Sequence, residues 1–314
     1  RSSDLAAQYG MVGPITTIGL GVLILGEPFT AWVAAGTLCV LGGVALLVAN
    51  YVGGSVLCLG IATDGSLRPA VEGSRSRPGG LLQHVLDQPR QPGIDPARQE
   101  APHAHSIDAS ADGRFAVACD LGCDRVLIHA LDTENATLRP HGSVALKPGA
   151  GPRHFTFHPQ GRFGYCINEL DLTVTAFAFD PQAGSLLTLD SVPTLPAEVV
   201  DRRGISTAEI AVHPSGRFLY GSNRGHDSVA IYAIDAGSGR LSLQGVEPLR
   251  VTTPRHFAID PSGRYLLAAG QASGLVTVFA IDQETVNLAF TGHVQAVPAP
   301  VCILFARPAA ATGN

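Results

Sequence analysis

The sequence predicts an all-β fold: an incomplete β-propeller of about four full blades plus partial ones, preceded by a two-helix apolar hairpin. Two observations predict it. A Gly-Arg-aromatic tetrad recurs at intervals of about 50 residues, each copy between short alternating apolar runs, which is how propeller blades read in sequence. Ahead of the repeats lie two apolar stretches, each of about 20 residues, the length that carries a helix across a bilayer.

The repeat is marked by Asp112-Gly113-Arg114-Phe115, Gln160-Gly161-Arg162-Phe163, Ser215-Gly216-Arg217-Phe218 and Ser262-Gly263-Arg264-Tyr265. A first strand precedes each tetrad, as at Phe155-Thr156-Phe157, Ile210-Ala211-Val212 and Phe257-Ala258-Ile259. A second apolar run follows, then a polar turn and a third strand ending in Asp, at Asp132, Asp180, Asp235 and Asp282. Gly184-Ser185-Leu186 and Gly239-Arg240-Leu241 come after two of these ends. A partial unit runs from Tyr51 to Leu67, and Val301 to Phe305 reads as a lone closing strand. Between them, Ser74 to Ala101 lacks periodicity and reads as a long surface loop.

Residues 1–50 have another texture. Their only charges are Arg1, Asp4 and Glu27. The stretches Leu5 to Gly26 and Trp32 to Tyr51 are joined by Glu27-Pro28-Phe29-Thr30, and Gly13, Gly19, Gly21, Gly36, Gly42 and Gly43 would let two membrane helices approach closely. The expected organisation is a candidate transmembrane hairpin over 1–50, a propeller over 51–308 and a tail over 309–314. A buried soluble hairpin or apolar strands are the plainer alternative for the first segment. Arg1 in place of Met reads as a fragment or an internal start, with no signal peptide.

Composition bounds the function. Apolar residues make up 46% and charged residues 15%, and the 36 glycines and 22 prolines favour many turns over long helices. A net charge of −5 gives no reason to expect nucleic acid as a partner. The six cysteines form no C-x-x-C pair and read as free thiols rather than disulfides or zinc ligands.

Alignment of the Gly-Arg pairs brings His105, Arg153, Ala208 and Arg255 to one equivalent position at the start of the first strand. Leu121, Glu169, Arg224 and Gln271 share a second, just after the second strand. Equivalent positions in a propeller converge at its central channel. A purely structural position would repeat one residue, so variation among His, Arg, Glu and neutral side chains suggests a site. Ordinary loop residues at strand ends remain the alternative reading.

Several segments carry a resemblance. They are Asn50-Tyr51-Val52-Gly53-Gly54-Ser55, Pro102-His103-Ala104-His105-Ser106, Asp120-Leu121-Gly122, Gly149-Ala150-Gly151-Pro152-Arg153-His154-Phe155, Ile167-Asn168-Glu169-Leu170, Ser222-Asn223-Arg224-Gly225-His226-Asp227-Ser228 and Pro300-Val301-Cys302. Together they resemble the seven-bladed lactonase family, which includes 6-phosphogluconolactonases and carboxy-cis,cis-muconate cyclases. Members of that family begin with a further whole blade and parts of two others. Residues 1–50 instead resemble the last two helices of EamA-type drug/metabolite transporters, through Pro14, Leu25-Gly26-Glu27-Pro28-Phe29-Thr30, Gly36 and Gly42-Gly43-Val44, with a join near Leu47 to Tyr51. The expected arrangement is four blades from about Pro102 to Pro298 and a partial one from Tyr51, forming an open arc of lowered activity.

The lactonase resemblance implies that His105, Arg153, Glu169 and Arg224 are catalytic, with His103 and Arg255 as substrate-binding candidates. It implies a hydrolase of a sugar lactone, 6-phosphogluconolactone first, with a muconate-type cyclase as the related alternative. A transporter remnant and a non-catalytic binding propeller are the readings from other classes. Arg153 and Arg224 suit an anionic substrate and a developing oxyanion. Glu169 and His105 would divide the base and acid roles in either order. Neither metal nor cofactor is required, and the partner is a small anionic lactone. His103 could replace His105. His154 and His256, both in Pro-Arg-His-Phe, read as structural, and Ser222 and Ser228 lack a nucleophile elbow. Arg68, Arg75, Arg77, Arg90 and Arg98 after the second apolar stretch place the propeller in the cytoplasm, tethered through membrane insertion of residues 1–50.

Overall fold

The computed structural model of the chain describes residues 45–61, 66–68, 82–83, 95–285 and 287–305. The described residues form strands and no helix. Four complete antiparallel sheets follow one another: β5 (Ala104–Ala109), β6 (Phe115–Asp120), β7 (Arg125–Asp132) and β8 (Thr137–Ala145), then β9 (Pro152–Phe157), β10 (Phe163–Asn168), β11 (Thr173–Asp180) and β12 (Ser185–Pro193). The third holds β13 (Ser206–Val212), β14 (Phe218–Arg224), β15 (Ser228–Ile234) and β16 (Leu241–Pro248), and the fourth holds β17 (Pro254–Ile259), β18 (Tyr265–Gly270), β19 (Leu275–Ile281) and β20 (Leu288–Ala296). The first strands β5, β9, β13 and β17 abut in order, as inner strands of a propeller do.

A fifth sheet precedes these: β1 (Ala45–Asn50) pairs with β2 (Ser55–Ile61), whose other edge takes β3 (Leu67–Arg68) and β4 (Leu82–Gln83). This corrects three expectations. The end of the second apolar stretch is strand, not helix, because Ala45 to Asn50 finds a full ladder from Ala45↔Gly60 to Asn50↔Ser55. Its Asn50 Nδ2 donates to Ser55 Oγ at 3.2 Å, the bond that Asn168 makes to Thr173 at 2.8 Å and Asn223 to Ser228 at 3.3 Å. Thus β1 is the second strand of a blade. Nor is Ser74 to Ala101 all surface loop, since Leu82–Gln83 extends the sheet and Gln99 is buried, its amide donating to Leu121 O at 2.8 Å. Residues 301–305, finally, join no ladder. The remainder of the predicted hairpin and the transporter-like motifs lie in residues 1–44, outside the described residues. Among the described residues no helix is long and apolar enough to cross a membrane.

The tetrads do two jobs. Each closes the hairpin between first and second strands: Gly113, Gly161, Gly216 and Gly263 adopt φ of +68 to +72°, where a side chain is strained. The first three also staple blade to blade. Arg114 donates to Pro181 O (3.2 Å), Arg162 to Ala236 O (3.4 Å) and Arg217 to Gln283 O (2.7 Å), all in the following blade. The same guanidinium lies over the ring of the next residue, Phe115, Phe163 or Phe218, at 5.2–5.4 Å. The hydrophobic core lies between successive sheets. Phe163, Tyr165 and Ile167 of one pack with Leu219, Ala230 and Tyr232 of the next, and Tyr220 and Ile231 pack with Phe257, Leu266 and Phe279.

Candidate active site

The side chains at the two register positions converge, and irregular pairing is what turns the first set inward. Between β5 and β6 the ladder runs Ala104↔Asp120, then Ser106↔Cys119, so His105 is the extra residue of a β-bulge. Arg153 occupies the same bulge between Pro152↔Asn168 and His154↔Ile167, and Arg255 between Pro254↔Gly270 and His256↔Ala269. In β13 the bulge falls at Ala208 and Glu209, opposite Ser222. Bulges re-aim side chains without breaking the sheet, which places these residues where adjacent blades meet.

Glu169 is the hub of the second set. Its Oε2 accepts from Arg153 Nε at 3.0 Å, and its Oε1 meets Arg98 Nη2 at 2.5 Å and Arg224 Nη2 at 3.1 Å. Burial alone would raise its pKa, yet Arg224, Arg153 and Arg98 outweigh burial and hold it below the ordinary carboxylate value. Glu169 is therefore a fixed anion. Arg153 is 2% exposed; burial pulls its pKa down to about 10 against the pull of Glu169, with Arg224 and Arg255 assisting. Its Nη1 also donates to Ala208 O at 2.5 Å and to His154 Nε2 at 3.1 Å. Arg224 Nη2 donates to Thr207 O at 2.8 Å, while its Nε is buried with no hydrogen-bond partner among the described residues.

His105 is packed edge-on against Tyr51 (ring centres 5.4 Å apart) and beside His154 (5.0 Å), and its Nδ1 is likewise buried without a partner. Burial pushes its pKa well below the usual imidazole value, and the charges of Arg153, His154, Arg255 and Arg224 push the same way. The ring is neutral at pH 7. His103, its sequence rival, is engaged elsewhere: it stacks on Tyr51 at 4.5 Å, and its ring nitrogens meet Tyr51 O and Glu100 Oε1, each at 3.0 Å. Arg255 is half-buried and makes no hydrogen bond among the described residues; burial first, then Arg224, lowers its pKa.

Three participants were missed by sequence reasoning. Tyr51 occupies the register position of Glu169 and Arg224, one residue after Asn50, whose bond to Ser55 matches those of Asn168 and Asn223; the sequence placed it at the junction of the apolar stretch and the partial unit but not in the site. Arg98 sits in the aperiodic segment and touches both Tyr51 Oη (3.4 Å) and Glu169. Glu209 neighbours the neutral register residue Ala208 and bridges His154 Nδ1 and His256 Nε2, both at 3.1 Å. Ser222 and Ser228 are buried: Ser222 Oγ accepts from Glu209 N, and Ser228 Oγ meets Asn223 and His226.

A groove of about 440 Å³ opens beside Glu169 and Arg98, with Asp95, Leu170 and Ser206 also in its lining; His105, Arg153, Arg224 and Arg255 are not part of that lining. Its size suits a sugar-sized ligand. Among the described residues no group of three His, Cys, Asp or Glu side chains is arranged so that it could hold a metal ion.

Comparison with known proteins bears on this arrangement. The family model described as "Lactonase, 7-bladed beta-propeller" matches residues 37–305. A Bacillus subtilis protein named 6-phosphogluconolactonase is 33% identical over 260 residues, covering 83% of this chain and 69% of its own length. A Formosa agariphila protein of the same name is 37% identical over 170 residues, covering 52% of this chain and 47% of its own. Among solved structures, the Pseudomonas aeruginosa periplasmic gluconolactonase superposes with a TM-score of 0.74 at 32% identity, covering 84% of this chain and 70% of that one. The chain thus spans between about half and 70% of these three proteins. The match also begins at residue 37, ahead of β1 and inside the second apolar stretch.

Proposed function

We propose that this chain, which belongs to the lactonase family of seven-bladed β-propellers, hydrolyses the ring ester of a sugar lactone, 6-phosphogluconolactone in the first place. The relatives named 6-phosphogluconolactonase and gluconolactonase support lactone hydrolysis as the reaction. The observation that carries the reading to residues is a pair of buried nitrogens with no hydrogen-bond partner among the described residues, His105 Nδ1 and Arg224 Nε, beside an arginine cluster. An unpaired buried polar atom costs about 1–3 kcal/mol, which a bound substrate and its attacking water would recover.

In this account neutral His105 takes a proton from water as the water oxygen attacks the lactone carbonyl carbon. Arg224 and Arg255 donate to the carbonyl oxygen as it becomes an oxyanion, in a site whose donors are already fixed. When the tetrahedral adduct collapses, the bond from the acyl carbon to the ring oxygen breaks, and His105 returns its proton to the departing alkoxide. Glu169, held ionised by three arginines, is a poor acid and a poor base. Its role is to orient Arg153 and Arg224. That distribution differs from the equal sharing of roles expected from sequence. Arg98, partly exposed at the groove, is placed to meet the phosphate.

The test is steady-state hydrolysis by the purified chain of 6-phosphoglucono-δ-lactone and of glucono-δ-lactone, each corrected for spontaneous opening. The reading expects turnover of both, with a lower KM for the phosphorylated substrate that Arg98→Ala abolishes. Turnover of neither sinks it.

A further inference from the structure

Glu209 takes no part in the chemistry above, yet it lies buried between His154 and His256. The proton positions around it follow from its neighbours. Arg153 has only donors, so where its Nη1 meets His154 Nε2 at 3.1 Å the histidine nitrogen is the acceptor. A neutral ring accepting at Nε2 carries its proton on Nδ1, and Nδ1 lies 3.1 Å from Glu209 Oε1. On the other side Ile303 N–H donates to His256 Nδ1 at 3.3 Å. That ring's proton is therefore on Nε2, which lies 3.1 Å from Glu209 Oε2. One carboxylate thus accepts one N–H from each of two imidazoles, and a third from the backbone N–H of Ile210 at 2.9 Å.

We propose that Glu209 is a positioning residue: by fixing His154 as the Nδ1–H tautomer, it keeps His154 Nε2 as an acceptor and so holds the Arg153 guanidinium in its working orientation. The relay crosses three blades, through His154 on β9, Glu209 on β13 and His256 on β17, and ends on the segment at 301–305. It explains why both Pro-Arg-His-Phe histidines are present: each is the donor that one oxygen of Glu209 requires. It also explains how Arg153 is clamped. Glu169 holds its Nε edge, His154 and Ala208 O hold Nη1, and Nη2 is left without a partner among the described residues. The proposal rests on the reading of Arg153 as part of the lactone site.

Substitution Glu209→Gln is nearly isosteric but replaces one acceptor oxygen by an NH₂ donor. One imidazole N–H then faces another donor. If that ring is His154, it must shift its proton to Nε2, directly against the Arg153 N–H. A residue that only fills space would leave the rings unchanged.

Two measurements on the full chain test this. Imidazole ¹⁵N NMR of the wild type is expected to report His154 as Nδ1–H and His256 as Nε2–H, and E209Q is expected to shift or mix the His154 tautomer. Turnover of 6-phosphoglucono-δ-lactone by E209Q is expected to lose about 10–100-fold in kcat/KM, the scale of a misplaced catalytic group. In an Arg153→Lys background the same change is expected to cost less than about threefold, because its route of action is already cut. A wild-type His154 that is Nε2–H or doubly protonated overturns the proposal, and so does an equal loss in both backgrounds. The wild-type spectrum decides the matter even if E209Q does not fold. Absence of turnover in the wild type instead sinks the lactonase reading and leaves the tautomer measurement to judge the relay.

Discussion

Arg153 Nε on β9 and Glu169 Oε2 in the turn just after β10 face each other at 3.0 Å, both side chains almost wholly buried. Neither is tolerable alone, because each cancels the other's charge where water is nearly excluded. Glu169→Ala should therefore destabilise the protein by about 3–5 kcal/mol, since Arg153 and Arg224 would be left as buried, unopposed cations. Chemical denaturation of wild type and variant measures this. A loss under about 1 kcal/mol would mean that solvent or another anion already serves these arginines.

His105 should set the pH dependence of turnover. Because burial and its cationic neighbours depress its pKa, the base is deprotonated throughout the neutral range, and kcat/KM should fall only well below pH 6.5. His105→Asn should lower kcat by about 10²–10⁴-fold, the usual contribution of a general base. A profile that still falls in the same acid range in the variant would assign the titration to another group.

Asp108, on the same strand as His105, gives a stability effect of opposite sign. Burial, and then the charge of Glu209, raises its carboxyl to about 7. With a folded pKa above an unfolded value of about 3.9, the folded state favours the protonated acid, so stability is intact below about pH 4 and declines as pH rises towards 7. Asp108→Asn should stabilise the protein by on the order of 1–2 kcal/mol at pH 8 and by nothing measurable at pH 4. Thermal melts at the two pH values check this, and equal shifts at both would contradict it.

Gly184 tests the contact between blades. It has φ of +63°, and a methyl group there would run into the ring of Phe115 in the preceding blade. Gly184→Ala should cost about 2–4 kcal/mol, combining left-handed strain with overpacking. Gly161, with the same sign of φ but open space around it, should cost less on the same change.

How far the sequence carried varies by residue. The tetrads were legible because the chemistry of a turn is local: Gly113 and its three counterparts need positive φ, and Arg114, Arg162 and Arg217 each bond a backbone carbonyl of the following blade. His105, Arg153, Glu169, Arg224 and Arg255 stood in two register columns that left a site and ordinary strand-end residues equally open, and it was the lactonase resemblance that pointed to them as a site. What sequence could not show was the bulge that makes each first-strand residue project, since a one-residue slip in pairing leaves no mark in composition. Glu209 was hidden by the same slip, standing one residue beyond the register column. Ala45 to Asn50 was misread because an apolar run says nothing of its partner, and only pairing with Ser55 to Gly60 makes it a strand. Arg98 was invisible as a site residue because its contact with Glu169 spans 71 residues from a segment with no period.

Whether His105 drives lactone opening is read from the initial rate of acid release from 6-phosphoglucono-δ-lactone at pH 7, with wild-type chain, with His105→Asn and with no protein. The account predicts a wild-type rate far above spontaneous hydrolysis and a variant rate lower by about 10²-fold or more. It is contradicted if the wild type does no better than buffer, or if the His105 variant keeps the wild-type rate.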